Sequence, residues 1–247
     1  MTLTTKHQRL TALRPLSPES VASLAAAWDV RMVYESNSIE GNSLTRREAN
    51  EVLNDFARAK ASGKPIKDYE NTIELGKAWR IVRSEAKPGV ELNEPILLKI
   101  YGAFSDSEDR TLSGALLRSG SLAIQQSLGG GEFPFREPEY LGDLFLGIES
   151  TENRVEAAAR LHERVRRHLR FKAHSGRAAR LAMNFVLLAA GYPPVSIPTD
   201  LRQAYYSALE AADAGDFQTW LNFLTEQLNH ELDEWLTALD PTFSADP

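Results

Sequence analysis

Arg177 and Arg180 stand three residues apart, directly after the turn His174-Ser175-Gly176. On a helix that spacing puts both guanidiniums on one face of the first turn. Ser175 is a residue type that caps a helix N-terminus, and Gly176 lets the backbone approach a ligand closely. A helix beginning there aims its free N–H groups and the positive end of its dipole into the turn, which suits an anion. Two arginines beside such a terminus form a phosphate clamp. The same residues also fit an ordinary capped helix with two exposed arginines, and on spacing alone this second reading is the simpler one.

The turn lies in the middle of residues 157–194, AAARLHERVRRHLRFKAHSGRAARLAMNFVLLAAGYPP. Ahead of it, Val155, Ala158, His162, Val165 and Leu169 recur at three- and four-residue spacing, one face of an amphipathic helix. Behind it comes a helix that is apolar almost all round. Residues 154–180 hold nine Lys or Arg against two Glu, in a chain whose net charge is -6. Such a patch attracts polyanions, or is a solvated face matched by carboxylates elsewhere in an acidic chain.

The segment resembles the core of the Fic (Fido-fold) family, whose signature runs HPFx(D/E)GN(G/K)RxxR. Phe171, Gly176, Arg177 and Arg180 match it, and the flanking LHERV and RLAMNFVLLAAGYPP resemble the family's helices. Leu169 takes the place of the catalytic His, Ala173 that of the acidic metal ligand, and His174-Ser175 that of the Gly-Asn pair. In the family the His is the general base that frees a protein hydroxyl to attack the α-phosphate of ATP. Leu169 has nothing to titrate. The acidic residue holds Mg²⁺, and Ala173 offers no side-chain oxygen, so Mg²⁺ is not expected here. His168 points about 100° away from Leu169 on a helix. His174 lies in the turn, so it is the candidate substitute base, although a turn imidazole bonded to local backbone is the simpler account of it.

A second stretch, Ser36-Asn37-Ser38-Ile39-Glu40-Gly41-Asn42-Ser43-Leu44-Thr45, reads physically as a helix end at Gly41-Asn42, followed by a capping box of Thr45 and Glu48. It also fits the family's inhibitory motif (S/T)xxxE(G/N), with Ser36, Glu40 and Gly41 in the three defined places. There the Glu pairs with the second arginine of the core motif and keeps the ATP γ-phosphate from its productive place. The implied partners here are Glu40 and Arg180.

The chain has 247 residues, 43% hydrophobic and 25% charged, ordinary for a globular protein with a sizeable core. With no Cys, disulfides, thiolate nucleophiles and Cys-based zinc sites are excluded, and a cytoplasmic location is expected. The N-terminus lacks an apolar run of signal-peptide type, and no apolar stretch reaches the ~18 residues of a spanning helix. A sequence pI of 5.5 argues against a nucleic-acid-coating protein. Residues 1–15 read as a frayed tail. A helix starts at Ser17-Pro18 and carries Leu24, Trp28 and Met32. Further helices follow over about 44–60, 69–83, 92–104, 138–150, 199–209 and 217–236 by periodicity and caps. Residues 105–135 are turn-rich, with an alternating run around Leu122 and Ile124 before Gly129-Gly130-Gly131, and read as a β-hairpin flap or a Gly-rich loop. In the family such a flap holds the target segment by strand addition.

The expected architecture is mostly α, a Fic-type helical fold with a short β-hairpin flap. Residues 1–85 would form an N-terminal helical region with the inhibitory motif, and residues 86–247 a Fic-like core. The leading functional expectation is a degenerate relative of the protein AMP-transferases. It would bind ATP or another nucleotide through Ser175, Gly176, Arg177 and Arg180, or a target protein at residues 122–124. The alternatives are an active AMP or phosphate-group transferase with rearranged catalysts, held off by Glu40, and an interaction protein with a vestigial pocket.

Overall fold

The computed structural model describes residues 1–54, 63–104, 141–148, 150–169 and 174–244. Among them are nine α-helices, two short 3-10 turns and no strand. The helices are α1 (Leu3–Ala12), α2 (Pro18–Ser38), α3 (Arg46–Asn54), α4 (Ile66–Glu85), α5 (Glu94–Gly102), α6 (Arg154–His168), α7 (Ser175–Ala189), α8 (Arg202–Asp213) and α9 (Phe217–Leu239). The 3-10 turns are Leu141–Phe145 and Thr199–Leu201. The expected hairpin flap, with Leu122 and Ile124, lies outside the described residues.

Side-chain caps explain several boundaries. Thr45 and Glu48 form the reciprocal box before α3: Thr45 N–H donates to Glu48 Oε2 at 2.7 Å, and Glu48 N–H to Thr45 Oγ1 at 3.3 Å. Asn93 Oδ1 accepts from Ile96 N–H, Asn153 Oδ1 from Val155 N–H and Asp216 Oδ1 from Thr219 N–H, which starts α5, α6 and α9. After α2 the chain reverses at Gly41, whose φ of +87° favours glycine.

α7 is the axis of the molecule. Every residue from 177 to 187 is buried, the apolar majority as composition requires and Arg177, Arg180 and Asn184 with it. It packs most extensively on α6, and α2, α4 and α5 also lie against it. α9 packs on α8, α6 and α1. One buried cluster runs from Leu10 to Phe243 and contains Trp79, Leu161, Met183, Phe185, Trp220 and Leu232. Each such side chain contributes about 1.5–3 kcal/mol on burial.

The first fifteen residues are not a frayed tail. α1 docks on α9 with Leu10 fully buried, Lys6 paired with Asp233 at 2.6 Å and Arg9 with Asp240 at 2.6 Å. His7 stacks on Tyr192 with ring centroids 3.7 Å apart. α1 has a weak apolar stripe of its own, so its order comes from these long-range partners.

Candidate functional site

The N-terminus of α7 is built differently from the plain capped helix that its sequence allows. Ser175 is the first helical residue, and the cap position belongs to His174, which makes no side-chain capping bond. His174 has φ +67° and ψ +9°, the left-handed region that costs a non-glycine residue roughly 1–2 kcal/mol. The backbone therefore keeps a glycine-like turn where this chain carries an imidazole. That ring lies flat against Phe104, centroids 5.1 Å apart and 6° between planes.

One turn into α7, Arg180 is 3% exposed and almost fully engaged. Its Nε donates to Ser36 Oγ at 2.9 Å, and its Nη2 to the Ser36 carbonyl at 2.8 Å and to Glu40 Oε1 at 2.8 Å. Its Nη1 reaches the Tyr205 hydroxyl at 3.4 Å. Burial works against the charge, but Tyr205 and Glu40 more than offset it and hold the guanidinium above the ordinary arginine value.

Glu40 lies directly on the helix terminus. A Cβ built on Gly176 would collide with Glu40 Oε1 and come within 3.1 Å of Arg180 Nη1. A side chain at position 176 would therefore have to push the Glu40 carboxylate aside, and Glu40 stands beside the N-terminus of α7, where free N–H groups and the helix dipole favour an anion. Its position is fixed from several sides. Arg202 Nε donates to the Ile39 carbonyl at 2.8 Å, Thr199 N–H and Oγ1 donate to Glu35 Oε2 at 3.1 Å, and Asn42 Nδ2 donates to the Asp68 carbonyl at 2.9 Å. Farther up α2, Trp28 Nε1 and Arg31 Nη2 donate to the buried Glu231.

Arg177 is the contrasting case. It is 8% exposed, and its buried Nε and Nη1 meet no hydrogen-bond acceptor among the described residues. Burial lowers its pKa, while Glu40 and Glu74 favour the charge from a distance. Buried guanidinium N–H groups without acceptors are costly, and together with the adjoining helix terminus they suit an incoming anion.

Leu169, just past the end of α6, is 2% exposed and belongs to the core cluster. Ala173 and Phe171 lie outside the described residues. Among the described residues no group of three His, Cys, Asp or Glu gathers as a metal site. The N–H donors at the turn fit a phosphate, and the carboxylate that stands there, Glu40, is already bonded to Arg180.

Several contributors were not singled out from sequence. Tyr205 and His162 are buried behind Arg180, with His162 Nε2 and the Tyr205 hydroxyl 3.0 Å apart. Arginine has only protons to give, so the Tyr205 oxygen accepts from Arg180. His162 is held neutral, its pKa pushed well down by burial and then by Arg166 and Arg180. Asn184 locks α7 to the following segment, donating to the Arg180 and Val195 carbonyls and accepting from Val195 N–H at 2.7 Å. The signal for His162 was its place in the apolar stripe of α6; Arg202 and Tyr205 lie in the string RQAYYSALEAADAGDFQTWLNFL, which resembles the family's C-terminal helices, where a tyrosine region helps close the nucleotide pocket.

Most of the basic run on α6 is internally matched, although the buried Nε of Arg166 meets no acceptor among the described residues. Arg154 pairs with Glu91, Arg160 with Glu156, Arg166 with Asp213, and Arg167 with Glu163 and Asp213. Arg164 donates to the Leu144 and Leu146 carbonyls.

No family model matches the chain. The protein adenylyltransferase Fic of Drosophila erecta is 28% identical over 217 residues, 83% of this chain and 41% of that protein. Its Drosophila persimilis counterpart is 26% identical over 243 residues, 94% and 44%. The chain thus spans less than half the length of these curated relatives. A Fic-domain-containing signalling protein from Bacteroides thetaiotaomicron has a TM-score of 0.78 at 22% identity, over 98% of this chain and 99% of the other. A fragment of C. elegans Fic-1 gives 0.75 at 20%, over 98% and 72%. At these identities the structural likeness shows a shared fold.

Proposed function

We propose that this chain, which belongs to the Fic family and resembles protein adenylyltransferases, is a nucleotide-binding member that has lost the family's chemistry and is held closed by its own Glu40. The observation that carries the reading is the Glu40 carboxylate on the N-terminus of α7, over Gly176 and bonded to Arg180. An internal anion in that place marks a locus suited to an external one. The unpartnered Nε and Nη1 of Arg177 add donors on the same turn.

A nucleotide phosphate entering this turn would take N–H donors from Arg177 and the first residues of α7, and would displace Glu40 from Arg180. Arg180 would then exchange one anion for another, with Ser36 and Tyr205 still holding its guanidinium. What is missing is a proton acceptor for a target hydroxyl. Leu169 is a buried hydrocarbon at that place, and a positioned base contributes typically about 10²–10⁴-fold. Retention of the clamp without the base favours binding over transfer.

Calorimetric titration with ATP, of wild type and of Glu40→Gly, tests this. The reading expects weak or absent binding in the wild type and clear binding once Glu40 is gone. Absence of binding in both at millimolar ATP would leave the pocket vestigial. Covalent transfer of labelled AMP by Glu40→Gly, abolished by His174→Ala, would replace the reading with that of a transferase with rearranged catalysts.

A further inference from the structure

We propose, resting on the nucleotide-binding reading above, that this chain takes a polyphosphate without a divalent cation, Arg177 supplying the contact that a metal ion would otherwise make. The donor set at the turn carries the inference. Mg²⁺ needs oxygen ligands and is held by a carboxylate as well as by the phosphates. Position 173 is Ala, and no group of three metal-ligating side chains exists among the described residues. The carboxylate at the turn, Glu40, is bonded to Arg180 and stands where the phosphate must go.

What the turn does offer is positive. Arg177 and Arg180 are 8% and 3% exposed, and a dication brought beside two buried guanidiniums is repelled. Arg177 keeps Nε and Nη1 buried without acceptors, a cost that persists until an oxygen anion arrives. Glu40 satisfies Arg180 but leaves those two atoms unmet, so the internal carboxylate fills only part of the locus. An anion with oxygens on two neighbouring phosphorus atoms can reach both guanidiniums; a single carboxylate, as the structure has it, reaches one. The ligand class is a di- or triphosphate in its metal-free form, and the two guanidiniums neutralise its charge in place of the metal.

The test is titration of Glu40→Gly with ATP in excess Mg²⁺ and, separately, in a chelator, with inorganic pyrophosphate as a nucleoside-free probe. The expected result is binding in the chelator at least as tight as in Mg²⁺, and binding of pyrophosphate. Arg177→Met weakens it by about tenfold or more. Arg177→Lys, which keeps a charge and loses the planar fork, falls between. If Glu40→Gly does not fold, Glu40→Gln serves the same comparison. Binding that needs Mg²⁺ overturns the metal-free proposal and leaves the nucleotide reading standing. Binding indifferent to Arg177→Met overturns the assigned role of Arg177. Absence of binding in every condition overturns both readings together.

Discussion

The two basic regions of this protein, the Arg-rich face of α6 and the arginine pair of α7, differ in a way that charge counting misses. α6 carries most of the local positive charge, yet each of Arg154, Arg160, Arg166 and Arg167 faces a carboxylate of the same chain, and Arg164 caps carbonyls. α7 carries two arginines. One is matched almost group by group, and the other has buried N–H groups with nowhere to donate. A ligand is sought by the unmet donor and not by the denser patch. Other buried donors also lack acceptors among the described residues, Arg166 Nε and Trp235 Nε1 included, so the deficit at Arg177 points to a ligand through its place beside Glu40 and the α7 terminus.

This contrast can be broken or sharpened by substitution. The largest effect is expected at Arg180. Replacing it with Met strands the Ser36 carbonyl, Tyr205 and Glu40 at once, and should cost about 3 kcal/mol of stability, as breaking a buried pair from one side does; urea unfolding measures it. An unchanged midpoint would mean that the cluster holds nothing together. Next comes the group behind it. His162 is buried and neutral, with a folded-state pKa well below its unfolded value near 6.5. As pH falls below 6.5 the unfolded chain takes up a proton that the folded one refuses, so this residue lowers stability on acidification. The slope approaches about 1.4 kcal/mol per pH unit. Stability profiles of wild type and His162→Gln should diverge by about 1.4 kcal/mol in all between pH 7.5 and 5.5, and parallel curves would contradict the assignment.

The third effect has the opposite sign. Arg177→Met removes unsatisfied buried donors and should raise the unfolding free energy of the ligand-free protein by about 1 kcal/mol. A loss instead would show that Arg177 has a structural partner. The smallest effect belongs to α6. Arg160→Gln, at a half-exposed pair, should cost about 0.5 kcal/mol or less and leave ATP affinity unchanged. A change in affinity there would extend the binding locus onto α6.

The contrast also shows what could be read from the chain alone. Caps at Thr45 and Asp216 act within three residues, so those helix starts are local facts and legible, whereas the start at Ser175, with His174 in the cap position, was not. Ser36, Glu40, Arg177 and Arg180 were legible through motif spacing. The order of α1 was not, because Lys6, His7 and Arg9 find their partners in Asp233, Tyr192 and Asp240, far along the chain. The difference between Arg177 and Arg180 was hidden for the same reason. Both are arginines on one helix face, and only the tertiary arrangement of Glu40, Ser36 and Tyr205 decides which one is satisfied. The neutralised face of α6 was one of two open readings, settled by acidic residues as distant as Glu91 and Asp213.

The most direct measurement of the central claim is a crystal structure of Glu40→Gly grown with ATP. The account predicts phosphate oxygens over Gly176, within hydrogen-bond distance of both Arg177 and Arg180. A nucleotide bound with its phosphates away from the α7 terminus, or an empty terminus with Arg177 still unpartnered at saturating ATP, would contradict it.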